Sequence, residues 1–487
     1  MEKSSTSANR IIYSLRQSVY DGVTVHIFGN LTGSIFLPAF ALVLGASAFQ
    51  IGILAAIPFL ATLGQLLGSF YVEKYQRRKS VTLLFSALAR GSWILIILLG
   101  FFFADDQFGL YLELLILVIA LYHLLGAVSS VAWLSWMSSL VPAEIRGRFF
   151  GLRNSLLGVV TILVTLSGGY YLDWFKNRFP TVSKILSFEI LFIVAVVFGF
   201  VSIYFLRRQH DPGTTQEGKK ISEIWSLFRH PFQQGNFKIL VKFAFLWSFA
   251  VNFTSPFFIV YMIKDLHLVY TLIGIYTVIS ALADLTGMGI WGHFSDRYGN
   301  RPIMIIATTV ATVLPFFWVF TNASQLSIYL FIPLLHLVGG FVWSGYNLCS
   351  VNMVFGMAPP ERNSTYFAFW SVFNGLAAAL GAITGGIFSK YSYHLAQFLP
   401  VVSDSGFKLI FLISAMLRFF SLFILKRVRE EKGLSVKRMV RILRSIKLWA
   451  TMMGHHPIVQ FFITSENAKG IARQPSEYWP IWKSKKI

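Results

Sequence analysis

The chain carries one cysteine in 487 residues, Cys349. A single thiol closes no disulfide within a chain and builds no multi-cysteine metal site, so neither device holds this fold together. Charge is scarce as well. Asp, Glu, Lys and Arg make up 13% of the residues, against roughly 25% in an ordinary soluble domain, while hydrophobic residues reach 55%. A water-soluble fold could not hide that much apolar surface, so lipid must be the solvent. There is no Gly-x4-Gly-Lys-Ser/Thr segment, no zinc-helix motif and no nucleophile in a recognisable catalytic pattern. ATP-driven work and enzyme chemistry are therefore not expected, and no cofactor is implied.

What the chain has instead is apolar runs of membrane length. A helix crosses a hydrocarbon core of about 30 Å with about twenty residues. Twelve such runs occur, near 19–44, 50–72, 80–103, 109–140, 155–173, 187–206, 239–263, 271–294, 302–320, 326–357, 364–389 and 406–426. Most are joined by short turns rich in Gly, Pro, Asp or Asn. The connection 207–238 is long and polar, with Asp211-Pro212-Gly213 and Lys219-Lys220. It divides the chain into a first half, 1–206, a linker, 207–238, a second half, 239–427, and a basic tail, 428–487. The run from 19 is followed at once by a second, which fits a first transmembrane helix better than a cleaved signal peptide.

The formal charge of +21 would suggest nucleic acid in a soluble protein. Its distribution points elsewhere. With the N-terminus inside, 33 of the 42 Lys and Arg fall in segments on the inner side or at its edge. The positive-inside rule places both termini in the cytoplasm of a multi-pass protein of the cell membrane, with no nucleic-acid partner.

Two pieces of text occur twice. Gly292-His-Phe-Ser-Asp296-Arg297-Tyr298-Gly299-Asn300-Arg301-Pro302 has a weaker copy 223 residues earlier, Glu73-Lys74-Tyr75-Gln76-Arg77-Arg78-Lys79. Pro142-Ala-Glu144-Ile-Arg146-Gly147-Arg148 aligns with Pro359-Pro-Glu361-Arg362-Asn363 at a spacing of 217, a register that also pairs Gly158 with Gly375 and Gly168-Gly169 with Gly385-Gly386. Two motifs repeated at nearly one spacing mean that a whole half is duplicated. The pattern Gly-x3-Asp-Arg-x-Gly-x-Arg-Pro resembles the signature loop of the major facilitator superfamily of secondary transporters. The copy at 73–79 departs from it, with Gln76 for Gly299 and Lys79 for Pro302.

The resemblance implies an all-α membrane protein of twelve transmembrane helices in two pseudo-symmetric six-helix bundles, working as a monomer by alternating access. The solute site is then expected between the halves near the midplane. It also implies that the repeated loops are gates on the cytoplasmic side: Glu73, Arg78, Glu144, Arg146 and Arg148 in the first half, and Gly292, Asp296, Arg297, Arg301, Glu361 and Arg362 in the second. Gly292 would allow close helix packing, and Asp296 would accept from Arg301 or from a helix N-terminus. For the basic residues of 77–79, a purely topological role accounts for the sequence equally well.

Ionisable groups inside spans cost on the order of 2.5 to 3.5 kcal/mol each, so those present call for a reason. Arg90 lies about 16 Å beyond Lys79 along a helix. The same reckoning brings Asn30 and His123 in the first half, and Asn252, Asp284 and His336 in the second, to the midplane. Trp343 and Asn347 join them, on a span that lines the cavity in the resembling family. These eight are the candidate solute-binding residues. A lone Asn or His within a bundle is more often packing glue, and Arg418 on the last span reads as structural. Asp284 is the only carboxylate that this reckoning places near the midplane. A carboxylate able to change charge between two states can carry a proton, so Asp284 is the candidate for proton coupling.

Two functions fit: transport of a small organic solute, or a non-transporting sensor or scaffold with the same fold. In the tail, Val436, Met439, Val440, Leu443 and Ile446 alternate at helical spacing with Lys437, Arg438, Arg441 and Arg444. That pattern predicts a basic amphipathic helix on anionic lipid of the inner leaflet.

Overall fold

The computed structural model describes residues 2–65, 77–103, 108–213, 231, 233–359, 362–430 and 435–443. Eleven of the described helices are long and apolar enough to cross a membrane: Asn9–Val43, Arg78–Gly100, Gly109–Leu140, Glu144–Arg178, Lys184–Arg207, Gly235–Lys264, Tyr270–Tyr298, Asn300–Trp318, Ser327–Met357, Thr365–Ala396 and Gly406–Leu425. With Ala48–Ala61, the described part of the second, they form twelve spans in two six-helix halves. After an even number of spans both ends of the chain lie at one face, called here the terminal face; the opposite face is distal.

The first span of each half breaks at the same place. Span one stops at Leu31 and resumes at Phe36, and span seven stops at Asn252 and resumes at Ser255. Just before each break an asparagine donates to the carbonyl one turn back, Asn30 to His26 at 2.8 Å and Asn252 to Ser248 at 2.9 Å. In span one Ser34 takes φ 44°, which an α-helix cannot continue through. In span seven Pro256 restarts the helix in its first turn, where its missing N–H leaves no helical bond unmade.

Each half packs around aromatic side chains. In the first, Trp93 meets Phe28, Tyr122 and Phe192 at ring separations of 5.0 to 6.2 Å. In the second, Trp318 and Phe411 enclose Phe258 and Tyr261. Several hydroxyls within the spans return their protons to their own helix, as Thr308 does to Met304 and Thr312 to Thr308. A polar group thereby survives without water.

The halves meet from the distal face to mid-depth. Span five touches span eight backbone to backbone: a Cβ on Gly169 would stand 3.0 Å from the Tyr270 carbonyl oxygen, and one on Gly274 would stand 3.3 Å from that of Thr165. Asp173 closes this contact. Its carboxylate accepts from the Tyr270 N–H at 3.0 Å, the Thr271 N–H at 2.7 Å and the Thr271 hydroxyl at 2.6 Å. An acid of one half thus caps the positive end of a helix in the other. Spans two and eleven run together as far as Thr62, whose Oγ1 lies 3.3 Å from where a Cβ on Gly375 would sit. Toward the terminal face, its own helix backbone aside, nothing among the described residues comes within 4 Å of a Cβ built on span five at Gly147, Gly151 or Gly158.

Gly299, at φ 94°, turns the chain between spans eight and nine. The N-terminus of span nine is then held by the segment after the last span: Glu430 accepts from the Asn300 and Arg301 N–H groups at 2.9 and 2.7 Å. The tail helix, described as Val436–Leu443, buries Met439 completely and packs against span nine, leaving Lys437 and Arg438 exposed. Arg444 and Ile446 lie outside the described residues.

Candidate functional site

A cavity of about 270 Å³ opens in the first half between spans two and four. Pro58, Thr62 and Gln65 form one wall, and Tyr122, His123 and Ser130 the other. Positions 58, 62 and 65 lie three to four residues apart, so one face of span two supplies that wall. His123 sits against the neighbouring Tyr122 ring at 4.8 Å. Its ring nitrogens make no hydrogen bond among the described residues.

The 223-residue repeat carries the same face of span two onto span eight. Ala61, which also lines the cavity, corresponds to Asp284. Asp284 is half-buried, and among the described residues it makes no hydrogen bond or ion pair. Its neighbour on span eight, Gly287, is pressed on span ten, with the Phe341 carbonyl oxygen 3.0 Å from a built Cβ. Gly274, on the same helix, faces span five. Asp284 therefore projects between spans ten and five, along the edge where the halves separate. On span ten Asn347 is exposed and Trp343 half-buried, the latter packed on Trp247 at 5.9 Å and Tyr346 at 5.5 Å.

The other sequence candidates are engaged within their own half. Asn30 donates to Thr161 of span five at 3.3 Å besides its bond to His26. Among the described residues Asn252 bonds only one turn back, to the carbonyl of Ser248, whose hydroxyl donates to Asn374. Arg90 is buried and donates to the Gly199 carbonyl at 3.3 Å. His336 bonds the Ile332 carbonyl at 3.0 Å between the rings of Tyr276 and Trp318. The structure thus brings His123 to a cavity, leaves Asp284, Trp343 and Asn347 at least partly open, and places Arg90 and His336 inside packed bundles.

Of the gate residues, Glu73 and Glu361 lie outside the described residues. Arg78 donates to the Ser135 carbonyl and the Ser139 hydroxyl at 3.0 and 2.6 Å, and Arg146 to the Ser138 carbonyl at 2.8 Å. Arg301 donates to the Lys426 carbonyl at 2.9 Å rather than pairing with Asp296. Each of these bonds stays within one half. Glu144, Arg148, Asp296 and Arg297 are exposed, a Cβ on Gly292 would stand 3.8 Å from Leu348, and Arg362 is half-buried at the start of span eleven.

Three residues escaped the sequence reckoning. Asp21 is 3% exposed in span one, accepts from Ser202, and lies within electrostatic reach of Arg90 and Arg153 without a direct ion pair to either among the described residues. It was missed because span one begins near Asn9 instead of 19, which moves Asp21 inward by several turns. Arg153 is buried over the Trp133 ring at 5.0 Å and donates to the Ser18 carbonyl at 3.3 Å. The sequence left it in the loop before 155, whereas span five begins at Glu144. Measured from the Thr165–Gly274 contact, Arg153 and Asp284 lie ~18 and ~15 Å toward the terminal face, at nearly one level on facing helices. Gln65 carries no charge, so its place in an apolar run gave no signal of a site.

Three comparisons bear on this arrangement. A sequence model of the Major Facilitator Superfamily matches residues 22–263 and again residues 243–475. No curated protein matches the chain in sequence. Among solved structures the chain resembles the nucleoside transporter NupG, with a TM-score of 0.64 at 16% identity over 85% of this chain and 98% of that one. It also resembles a D-xylose-proton symporter, with a TM-score of 0.63 at 17% identity over 88% and 100% of the two chains. The inward-open xylose transporter XylE from E. coli superposes with a TM-score of 0.56 at 17% identity, over 89% and 99%. At such identities the likeness speaks for the fold.

Proposed function

The chain belongs to the Major Facilitator Superfamily, and from that premise we propose that it is a secondary transporter carrying a small organic solute by alternating access. The observation that carries this reading is the seam: two halves clasped at the distal face by Asp173, with the span-five glycines open toward the terminal face. A clasp on one side of a two-fold bundle is one of the two states that alternating access requires. With the terminal face in the cytoplasm, as the Lys and Arg distribution favours, this is the inward-facing state.

The solute site in this reading lies between His123 and Gln65 of the first half and Asp284, Trp343 and Asn347 of the second. Asp284 serves as the proton carrier, supported by its lack of a described partner. The exposed Lys437 and Arg438 of the tail helix suit an anionic inner leaflet, while Met439 anchors the helix to the second half.

Flux into vesicles holding the purified protein tests the proposal. We expect solute to accumulate under an imposed pH gradient, and Asp284→Asn to lose accumulation while keeping exchange. Full accumulation by that variant would exclude Asp284 as the carrier. Absence of flux for every solute that stabilises the protein would favour the sensor or scaffold.

A further inference from the structure

We propose that the cavity between spans two and four is a subsite for a small uncharged solute rich in hydroxyl or amide groups, with Gln65 and His123 as the residues that select it. The inference rests on the transporter reading and adds the solute class.

Size sets the first bound. About 270 Å³ is just below the ~300 Å³ at which drug-sized pockets begin, which suits a solute of about one ring. Charge sets the second. Among the described residues the lining contains no Asp, Glu, Lys or Arg. An ion entering it would lose part of its water without meeting an opposite charge on the described walls, which is costly. A hydroxyl-rich neutral solute loses only hydrogen bonds, which the walls can restore.

The walls are arranged for that exchange. Thr62 and Ser130 donate their protons to the Phe59 and Ala127 carbonyls at 2.6 and 2.8 Å, so their oxygens are left as acceptors. The Gln65 amide offers both a donor and an acceptor, and the His123 ring adds two nitrogens able to form hydrogen bonds. Among the described residues neither side chain makes a hydrogen bond. Position strengthens the case: Thr62 also faces Gly375 of the second half, so the cavity adjoins the surface that must part and rejoin in transport. A solute held there would feel both halves.

The test uses the full-length protein in detergent, with three neutral probes (myo-inositol, D-ribose and uridine), one cation (choline) and one anion (lactate). Thermal stabilisation and equilibrium binding are read for wild type, Gln65→Leu, His123→Leu and His123→Gln. We expect at least one neutral probe to bind. Each leucine variant should weaken it about tenfold, the effect of one lost hydrogen bond, and His123→Gln should retain most of the affinity. If Gln65→Leu lowers the ligand-free melting temperature, Gln65→Asn, which keeps a shortened amide, replaces it and should weaken binding less. Binding by choline or lactate alone, binding by none of the five, or neutral binding that survives both leucine changes would overturn the proposal. Vesicle flux separates the two readings. Neutral binding without flux leaves the subsite standing and removes the transporter, whereas flux of choline or lactate alone does the reverse.

Discussion

Replacing Asp173 with asparagine should release the distal clasp. The carboxylate accepts three hydrogen bonds from the opposite half, two from backbone N–H groups in the first turn of span eight and one from the Thr271 hydroxyl. An amide keeps one accepting oxygen and no charge. A hydrogen bond to an ionised group contributes about 1.5 to 3 kcal/mol, and a charge at a helix N-terminus about 0.3 to 1 kcal/mol, both reduced by solvent screening. Asp173 is half-buried. We therefore take about 1 to 2 kcal/mol for Asp173→Asn, which lowers the ratio of distal-closed to distal-open molecules by roughly 5- to 30-fold. Since Cys349 is the only cysteine and is buried, cysteines introduced at Val182 and Ala323, in distal loops of different halves, can carry spin labels. Pulsed distance measurements should show a longer-distance population growing in the variant. An unchanged distribution would mean that the backbone packing at Gly169 and Gly274 closes the seam without Asp173.

Further expectations concern stability and gating. Asp265, in the loop after span seven, has its carboxyl pushed above the usual range by burial, with the Asp404 charge adding to this and the Ser405 hydrogen bond opposing it. A raised acid favours the proton-bound folded state, so this contribution declines as pH rises from the ordinary carboxylate value through the raised one. Asp265→Asn should raise the melting temperature at neutral pH, with the gain fading in acid, and a gain independent of pH would refute it. Arg418 is buried, donates to the Ala311 carbonyl at 2.9 Å and faces the Trp247 ring at 5.9 Å, with no acid partner among the described residues. A buried charge without an acid partner carries a desolvation cost that an apolar chain of similar length does not, so Arg418→Met should keep both melting temperature and flux; loss of flux alone would make Arg418 functional. Asp296 is exposed and makes no ion pair among the described residues, so Asp296→Asn should leave the present state intact and increase its population in the same spin-label assay. Gly340→Val drives a side chain into the Ser280 carbonyl and should cost about 1 to 3 kcal/mol or more, read as loss of monodisperse protein.

The sequence by itself determined that the protein lies in a membrane, crosses it twelve times and is built twice. Each of those properties is one-dimensional. A span is a run of apolar residues of sufficient length, and a duplication is a spacing, 217 or 223, that brings the same text back. The pairing of Asn30 with Asn252 was legible in the same way, and each proves to end its helix segment with the same bond one turn back. Which polar residues face the seam was not legible, because depth follows from counting along a helix, whereas facing depends on which helices flank it. Arg90 and Asp284 are both near mid-span by count, but Arg90 is directed onto Gly199 inside its own half and Asp284 toward the open edge. Depth itself failed where an end was misplaced, since a helix can begin in polar sequence: Asp21 was put at the very end of its span and Arg153 outside its own, whereas both spans start about ten residues earlier. The clasp at Asp173 was beyond reach for another reason. Its partners are backbone N–H groups 97 and 98 residues away, which every residue but proline possesses and which become a site only when tertiary packing brings a helix N-terminus to a carboxylate.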